Sequence, residues 1–286
     1  MTKPLAMRFW GVRGSIPTPE AANLGYGGNT ACLEVRYGGL PPLIFDGGSG
    51  LRQLGLSLLG EFPSGGACHI FFTHFHWDHI QGVPFFIPLY RPDWTIRFHS
   101  TREPEVLESL LQDQMRPPFF PVAMPAVRAV RSYAQVAATG QTLDGVRIRP
   151  IPLHHPNGSN GYRIDAGGHS IVYATDHEHG DAEIDRALTE QSEGADILIY
   201  DAQYTPQEYE SRRGWGHSTW VRGARLAREA GVGQLVLFHH EPLRTDEAVA
   251  GIVKEAQTIF ANTIGATEGW HVNLGESGRS DGLVVR

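Results

Sequence analysis

The chemistry of this chain is concentrated in one heptapeptide, Thr73-His74-Phe75-His76-Trp77-Asp78-His79, which sets three imidazoles and a carboxylate in six consecutive positions. It directly follows the apolar run Ile70-Phe71-Phe72. Imidazole nitrogen suits zinc, iron and nickel, and carboxylate oxygen can bridge two cations, so this set is suited to holding two metals side by side. Three of the chain's fourteen histidines fall here, a concentration that a solvated turn does not require. Residues of the same type recur wherever an apolar stretch gives out: His154 and His155, Asp176, and His239 and His240. Strand ends of this kind line one rim of a sheet, where ligands gather in open α/β architectures. On the residues alone, either histidine of each doublet is a candidate.

The elements that must position these residues follow from periodicity. Ala31, Leu33, Val35 and Tyr37 alternate with more polar neighbours and predict a half-buried strand, turned by Gly38-Gly39. Leu43-Ile44-Phe45 predicts a buried strand ending at Asp46 and Gly47-Gly48-Ser49-Gly50, after which Leu51, Leu54 and Leu58 mark a helix face. His69 to Thr73 and Ile96 to His99 read as strands, and Val106, Leu107, Leu110 and Leu111 as a helical stripe ending near Met115. Arg116-Pro117-Pro118-Phe119-Phe120-Pro121 excludes a helix interior and reads as a stiff apolar loop, either walling the site or packing on the surface. A second half follows: a strand from Val146 to Leu153, and a hairpin from Gly161 to Asp176 turning at Ala166-Gly167-Gly168. Then come a strand from Ile197 to Tyr200 stopping at Asp201, a helix from about Thr219 to Ala230, a strand from Gln234 to Phe238, and a helix over about 246–260. Strands and helices in two successive passes suggest a layered α/β sandwich with helices outside.

Composition narrows the function. With 286 residues, 41% apolar content, 34 glycines and 19 prolines, the chain describes a well-cored, loop-rich globular protein, expected as one domain over residues 1–286. The formal charge of −7 carries no overall footprint for long nucleic acid and favours a small or short substrate. Arg212, Arg213, Arg222, Arg225 and Arg228 cluster locally, on what reads as the solvated face of a helix. Cys32 and Cys68 are too few for a disulfide framework and are not spaced as a metal pair, so a reducing cytoplasm is the expected compartment. No stretch approaches the roughly 20 apolar residues that span a bilayer, so no membrane partner is expected.

The pattern His74-x-His76-x-Asp78-His79, followed at a distance by His155, Asp176 and His239, resembles the metallo-β-lactamase superfamily. Phe9-Trp10-Gly11-Val12-Arg13-Gly14-Ser15, Tyr26-Gly27-Gly28-Asn29-Thr30, His155-Pro156-Asn157-Gly158 with Gly161-Tyr162-Arg163, and Gly216-His217-Ser218-Thr219 resemble its phosphodiester-hydrolysing branch, which contains ribonuclease Z and phosphoribosyl cyclic phosphodiesterase. The resemblance implies a four-layer αββα sandwich. It also implies that His74, His76 and His155 bind one divalent metal, Asp78, His79 and His239 a second, and that Asp176 bridges them. It favours His155 over His154 and His239 over His240, and leaves His177 and His179 outside the ligand set. Asp46 resembles the structural aspartate behind the first histidines, though an Asp before Gly47-Gly48 also suits a turn. His217 would bind a phosphate oxygen or protonate the leaving alkoxide, or else simply precede a helix capped by Ser218 or Thr219.

The chemistry expected of such a centre is hydrolysis. Two cations, zinc by first choice and manganese or iron as alternatives, share a water, lower its pKa towards about 7 and orient the hydroxide for attack on phosphorus. Asp78 and His217 are the expected catalytic residues, acting on a small or cyclic phosphodiester. A ribonuclease Z-like endonuclease and a lactone or thioester hydrolase are the alternatives, a non-enzymatic metal-binding module the last. The resemblance also suggests a homodimer.

Overall fold

Apolar runs too long for a surface strand resolve into two face-to-face sheets. The computed structural model describes residues 3–275. In chain order the strands are β1 (Leu5–Gly11), β2 (Cys32–Tyr37), β3 (Leu43–Phe45), β4 (Gly66–Phe71), β5 (Trp94–Ser100), β6 (Val130–Gln135) and β7 (Gln141–Leu143). They continue with β8 (Val146–Leu153), β9 (Ser159–Ala166), β10 (His169–Ala174), β11 (Ile197–Asp201), β12 (Gln234–Phe238), β13 (Thr263–Gly265) and β14 (His271–Leu274). The helices are α1 (Leu51–Glu61), α2 (Trp77–Ile80), α3 (Pro104–Gln114), α4 (Ala182–Ser192), α5 (Pro206–Glu210), α6 (Trp220–Glu229) and α7 (Asp246–Gln257). One sheet runs β14-β1-β2-β3-β4-β5-β6 and the other β13-β12-β11-β10-β9-β8-β7.

Strands β3 to β6 are mutually parallel, as are β10 to β13. Parallel neighbours require crossovers, and the crossover helices cover the outer faces. Leu54 and Leu58 of α1 with Leu107 and Leu111 of α3 pack in the cluster holding Ile44, Ile70 and Phe98. Leu188 of α4, Ala224 of α6 and Ile252 of α7 pack in the cluster of Val172, Leu198 and Leu237. Between the sheets Phe9, Phe45, Phe71, Tyr162, Tyr173 and Phe238 are fully buried, each stabilising the fold by about 1.5–3 kcal/mol on area. The architecture is the expected four-layer αββα sandwich. Parallel strands have their carboxyl ends on one rim, so the residues that follow β3, β4, β10, β11 and β12 converge there.

The expectation of a half-buried β2 is corrected, since Cys32, Leu33, Glu34 and Val35 are all buried. One face of β2 meets the inter-sheet core and the other meets the α1 layer, where Glu34 accepts a hydrogen bond from Trp10 Nε1 and pairs with Arg36. The last helix ends at Gln257 rather than near Phe260. Arg212 and Arg213 fall after α5, outside the helix that carries Arg222, Arg225 and Arg228, so these five arginines do not share one helical face. The 116–121 loop packs Phe120 edge-on against Phe85.

Candidate active site

Each end of the cluster is built by a loop that leaves a buried strand and turns sharply. The heptapeptide leaves β4 and closes in the single turn of α2, bringing His79 beneath His74, with the rings 4.3 Å apart. Asp46, Asp176 and His239 each follow a strand with φ of 63°, 57° and 60°. A non-glycine residue in that region costs of order 1–3 kcal/mol, and such strain is held only where surroundings over-determine it. Here all three side chains turn back over the rim and are buried.

The residues form two adjoining groups. His74, His76 and His155 make one; Asp78, His79, Asp176 and His239 make the other. Asp176 lies between them: its Oδ1 is 3.8 Å from His74 Nε2 and 3.7 Å from His155 Nε2, and its Oδ2 is 3.1 Å from His79 Nε2 and 3.4 Å from His239 Nε2. The seven residues predicted as ligands are thus brought together. His154 and His240 are not among them: His154 Nδ1 donates to the Glu178 carbonyl and His240 Nε2 to that of Ala266. His177 donates to Asp185, and His179 pairs with Ser218 Oγ.

Outer partners fix the tautomers of four imidazoles. His79 Nδ1 donates to Asp46 Oδ2 at 2.9 Å, His155 Nδ1 to the Gly216 carbonyl at 2.7 Å and His239 Nδ1 to Gln203 Oε1 at 2.9 Å. His74 Nδ1 donates at 3.0 Å to Thr73 Oγ1, whose own hydroxyl donates to Asp46. Every one of these four Nε2 lone pairs therefore faces the centre. The Nε2 atoms of His74 and His79 are buried without a hydrogen-bond partner, and His155 Nε2 lies 3.0 Å from His76 Nδ1. Lone pairs converging on each other and on a carboxylate repel unless a proton or a cation lies among them, so the donor set fits divalent metals.

Electrostatics divide the two groups. Burial pushes the pKa of His155 down to about 4 and that of His74 well below its ordinary value, leaving both neutral and ready to ligate. In the second group burial opposes charge on His79 and His239, but Asp176 and Asp78 outweigh it, with Asp46 adding at His79 and Asp201 at His239. His79 is held well above its usual value and His239 is raised to about 9. Burial likewise opposes ionisation of Asp78 and Asp176, yet the neighbouring imidazoles hold both carboxyls well below the carboxylate range.

Two residues of the site escape sequence reasoning. Asp201 ends β11 and accepts from His217 Nδ1 at 2.8 Å and from the Asp176 N–H at 3.1 Å. The stop of an apolar strand at an aspartate was its only signal. Gln203 orients His239 and carries no local signal at all. His217 also lies among Asp176, Asp201 and His239, a group of metal-binding type, so its place is closer to the centre than its sequence suggests. The helix cap beside it is real as well: Thr219, not Ser218, caps α6 by accepting from the Arg222 N–H. Ser15 N–H donates to Asp78 Oδ2 at 2.7 Å, which places the Arg13-Gly14-Ser15 motif against the cluster. A side chain at Gly14 would overlap the His239 ring, which accounts for glycine there. A cleft lined by Ser15, Phe75, His76, Trp77, Asp78, Asp176 and His217 opens over the centre. Residues 116–121 line neither this cleft nor the larger cavity beside it.

Two sheets between helical layers, with a buried histidine and aspartate cluster on the shared rim, define a metallo-β-lactamase-type hydrolase. The chain belongs to the beta-lactamase superfamily: residues 43–240 match the family described as Beta-lactamase superfamily domain. Among curated relatives it is 27% identical over 315 residues to Ribonuclease Z of Synechococcus sp. (strain WH7803), covering 91% of this chain and 93% of that protein. Among solved structures it is similar to the metallo-beta-lactamase fold protein YhfI from Bacillus subtilis, with a TM-score of 0.72, 21% identity and coverage of 95% of this chain and 99% of that one. It is also similar to a diphosphatase from the PhnP family, with a TM-score of 0.70, 20% identity and coverage of 94% and 97%. No helix among the described residues is long and apolar enough to cross a membrane.

Proposed function

We propose that the protein is a dinuclear metal-dependent phosphodiesterase acting on a small, cyclic or short nucleotide phosphodiester. The observation that carries this reading is the disposition of Asp176, one oxygen towards each imidazole group, with the His217–Asp201 pair beside it. His74, His76 and His155 would hold one cation, Asp78, His79 and His239 the other, and Asp176 both. Zinc is the first candidate, with manganese and iron as alternatives. Bound there, the cations supply an acidic water and Lewis acidity towards a phosphoryl oxygen.

The chain's own groups do the rest. Asp78, pinned by the Ser15 N–H and lining the cleft, accepts a hydrogen bond from the attacking water and sets its direction. His217 donates Nδ1–H to Asp201, which fixes the orientation of the ring. Its Nε2–H, on a ring lining the cleft, is then the donor to a phosphoryl oxygen or to the departing alkoxide. Phe75 and Trp77 wall the cleft and limit water around the reacting group.

A second reading, endonucleolytic cleavage of precursor tRNA, is favoured by the relatives named Ribonuclease Z. The net charge of −7 weighs against a long RNA body. Turnover of bis(p-nitrophenyl) phosphate, 2′,3′-cyclic nucleotides, a 1,2-cyclic sugar phosphate, precursor tRNA, and lactone and thioester panels by metal-loaded protein separates the readings. Small phosphodiesters should turn over fastest. Activity confined to carbonyl substrates overturns the phosphodiester assignment, and cleavage of precursor tRNA alone transfers it to the endonuclease.

A further inference from the structure

Beside the cleft lies a larger cavity, about 650 Å³, that adjoins it across Phe75 and His76, residues lining both. Its size falls in the range of small-molecule sites. Its walls differ in chemistry. Phe75 of the heptapeptide loop and Val106 and Leu110 of α3 present an apolar face, and Val106 is 46% exposed although it lies on a helix whose inner leucines are fully buried.

The rest of the lining includes polar groups, among them Thr101, Arg102, Asn157 and Asn160. Asn160 spends its Nδ2 on Thr101 Oγ1 at 2.9 Å, and its Oδ1 receives no hydrogen bond among the described residues. At the mouth, Arg102 is exposed, and its one side-chain hydrogen bond is Nη2 to the Asn157 carbonyl at 3.1 Å. No carboxylate pairs with it among the described residues, in a chain of net charge −7.

We propose that this cavity holds the non-reacting arm of the substrate, and that the arm is a nucleotide unit carrying its own phosphate. A flat ring can lie against the apolar face of Phe75, Val106 and Leu110, with its hydrogen-bonding edge towards Asn160 Oδ1. The second phosphate meets Arg102, which can bind it in bidentate fashion. The inference rests on the phosphodiesterase reading for its reacting end, but its own content is the pocket and the second anion.

The test compares each enzyme form with itself on two substrates, a dinucleoside monophosphate and the same dinucleotide bearing a terminal phosphate. In the wild-type metal-loaded enzyme the terminal phosphate should raise kcat/KM about tenfold or more, the contribution of one charge-assisted hydrogen bond. That ratio should collapse towards one in Arg102→Gln. A ratio near one in the wild type, or one that survives Arg102→Gln, overturns the proposal. Hydrolysis of bis(p-nitrophenyl) phosphate with neither dinucleotide cleaved overturns the pocket assignment and leaves the phosphodiesterase reading standing.

Should no phosphodiester be cleaved, that reading fails, and the pocket is decided by binding. Adenosine 3′,5′-bisphosphate should bind about tenfold more tightly than AMP, a preference lost in Arg102→Gln; equal affinities overturn the pocket.

Discussion

At the scale of the residue, the His217–Asp201 pair and the protonation of the two histidine groups make separable claims. If His217 protonates an alkoxide, its value depends on the leaving group. p-Nitrophenolate departs without a proton, so His217→Ala should cost little on bis(p-nitrophenyl) phosphate and about 10²- to 10⁴-fold in kcat on a nucleotide phosphodiester, measured by steady-state kinetics at constant metal content. Equal losses on both would move His217 from proton donor to phosphate binder. Asp201→Asn, which keeps the shape but weakens the hold on Nδ1, should lower kcat about 10- to 100-fold with metals retained. The pKa shifts give a second expectation. In chelator-treated protein His79 and His239 are protonated near neutrality, with His239 losing its proton only near pH 9, whereas His155 stays neutral down to about pH 4. A histidine whose pKa is raised by folding stabilises fully below its unfolded value of about 6.5, and that stability is lost as pH rises through its folded value. The stripped protein should therefore lose stability between about pH 6.5 and 9 from His239, and from His155 as pH falls from about 6.5 to 4. Metal uptake at neutral pH should release protons from the Asp78, His79, His239 end and almost none from the other. Calorimetry in buffers of differing ionisation enthalpy measures that release, and a titration releasing none would contradict the assignment.

At the scale of the element, the loop that carries His217 is held by a carboxylate outside the centre. Glu178 accepts from the Gly214 and Gly216 N–H groups at 2.7 Å each and from the Tyr209 hydroxyl at 3.1 Å. Gly216 returns its carbonyl to His155, at φ of 88°, where a Cβ would overlap the His155 ring and Pro156. One peptide thus ties the first histidine group to His217. Glu178→Gln, with one acceptor oxygen fewer, should lower kcat by up to about 10²-fold by misplacing His217 while leaving the protein folded, as circular dichroism and kinetics together would report. A fall in stability with kcat intact would make Glu178 a purely structural anchor. The elements legible in the sequence are those whose burial leaves a pattern: β3, β4, β11 and β12 are runs covered by helices outside and by the second sheet inside, and β8 alternates between buried and exposed positions. The edge strands β6, β7, β13 and β14 are short or alternate between exposure and partial burial, and their pairing rather than their composition makes them strands. β1, between β14 and β2, went unread although Leu5, Met7 and Phe9 alternate plainly. The site was legible wherever a histidine or aspartate closed a strand. It was not where orientation comes from a long-range partner: Gln203 and Glu178 reach the centre through tertiary contacts that leave no local spacing, and Asp201, though it closes β11, carries no spacing that ties it to His217.

At the scale of the whole molecule, the two sheets meet at the centre. His74, His76, Asp78 and His79 belong to the β4 side, and His155, Asp176 and His239 to the other half. Asp46 of the first sheet also accepts from the hydroxyl of Tyr173 on β10, at 3.0 Å. Cations bound across that seam would clamp the halves together, and a ligand at a thousandfold excess over its Kd stabilises by about 4 kcal/mol. Chelation should lower Tm by several degrees, and returning zinc or manganese should restore it. An unchanged Tm would separate metal binding from the seam. Tyr173→Phe, which removes one hydrogen bond to buried Asp46, should cost about 1–3 kcal/mol, read from denaturant unfolding.

Hydrolysis of bis(p-nitrophenyl) phosphate, with metal content quantified in the same wild-type and His76→Ala preparations, decides whether the protein is a two-metal phosphodiesterase. Close to two metals per wild-type chain with measurable turnover are expected, with both metal and activity lost in His76→Ala. Fully loaded wild-type protein that cleaves no phosphodiester, including the nucleotide substrates, would contradict that reading.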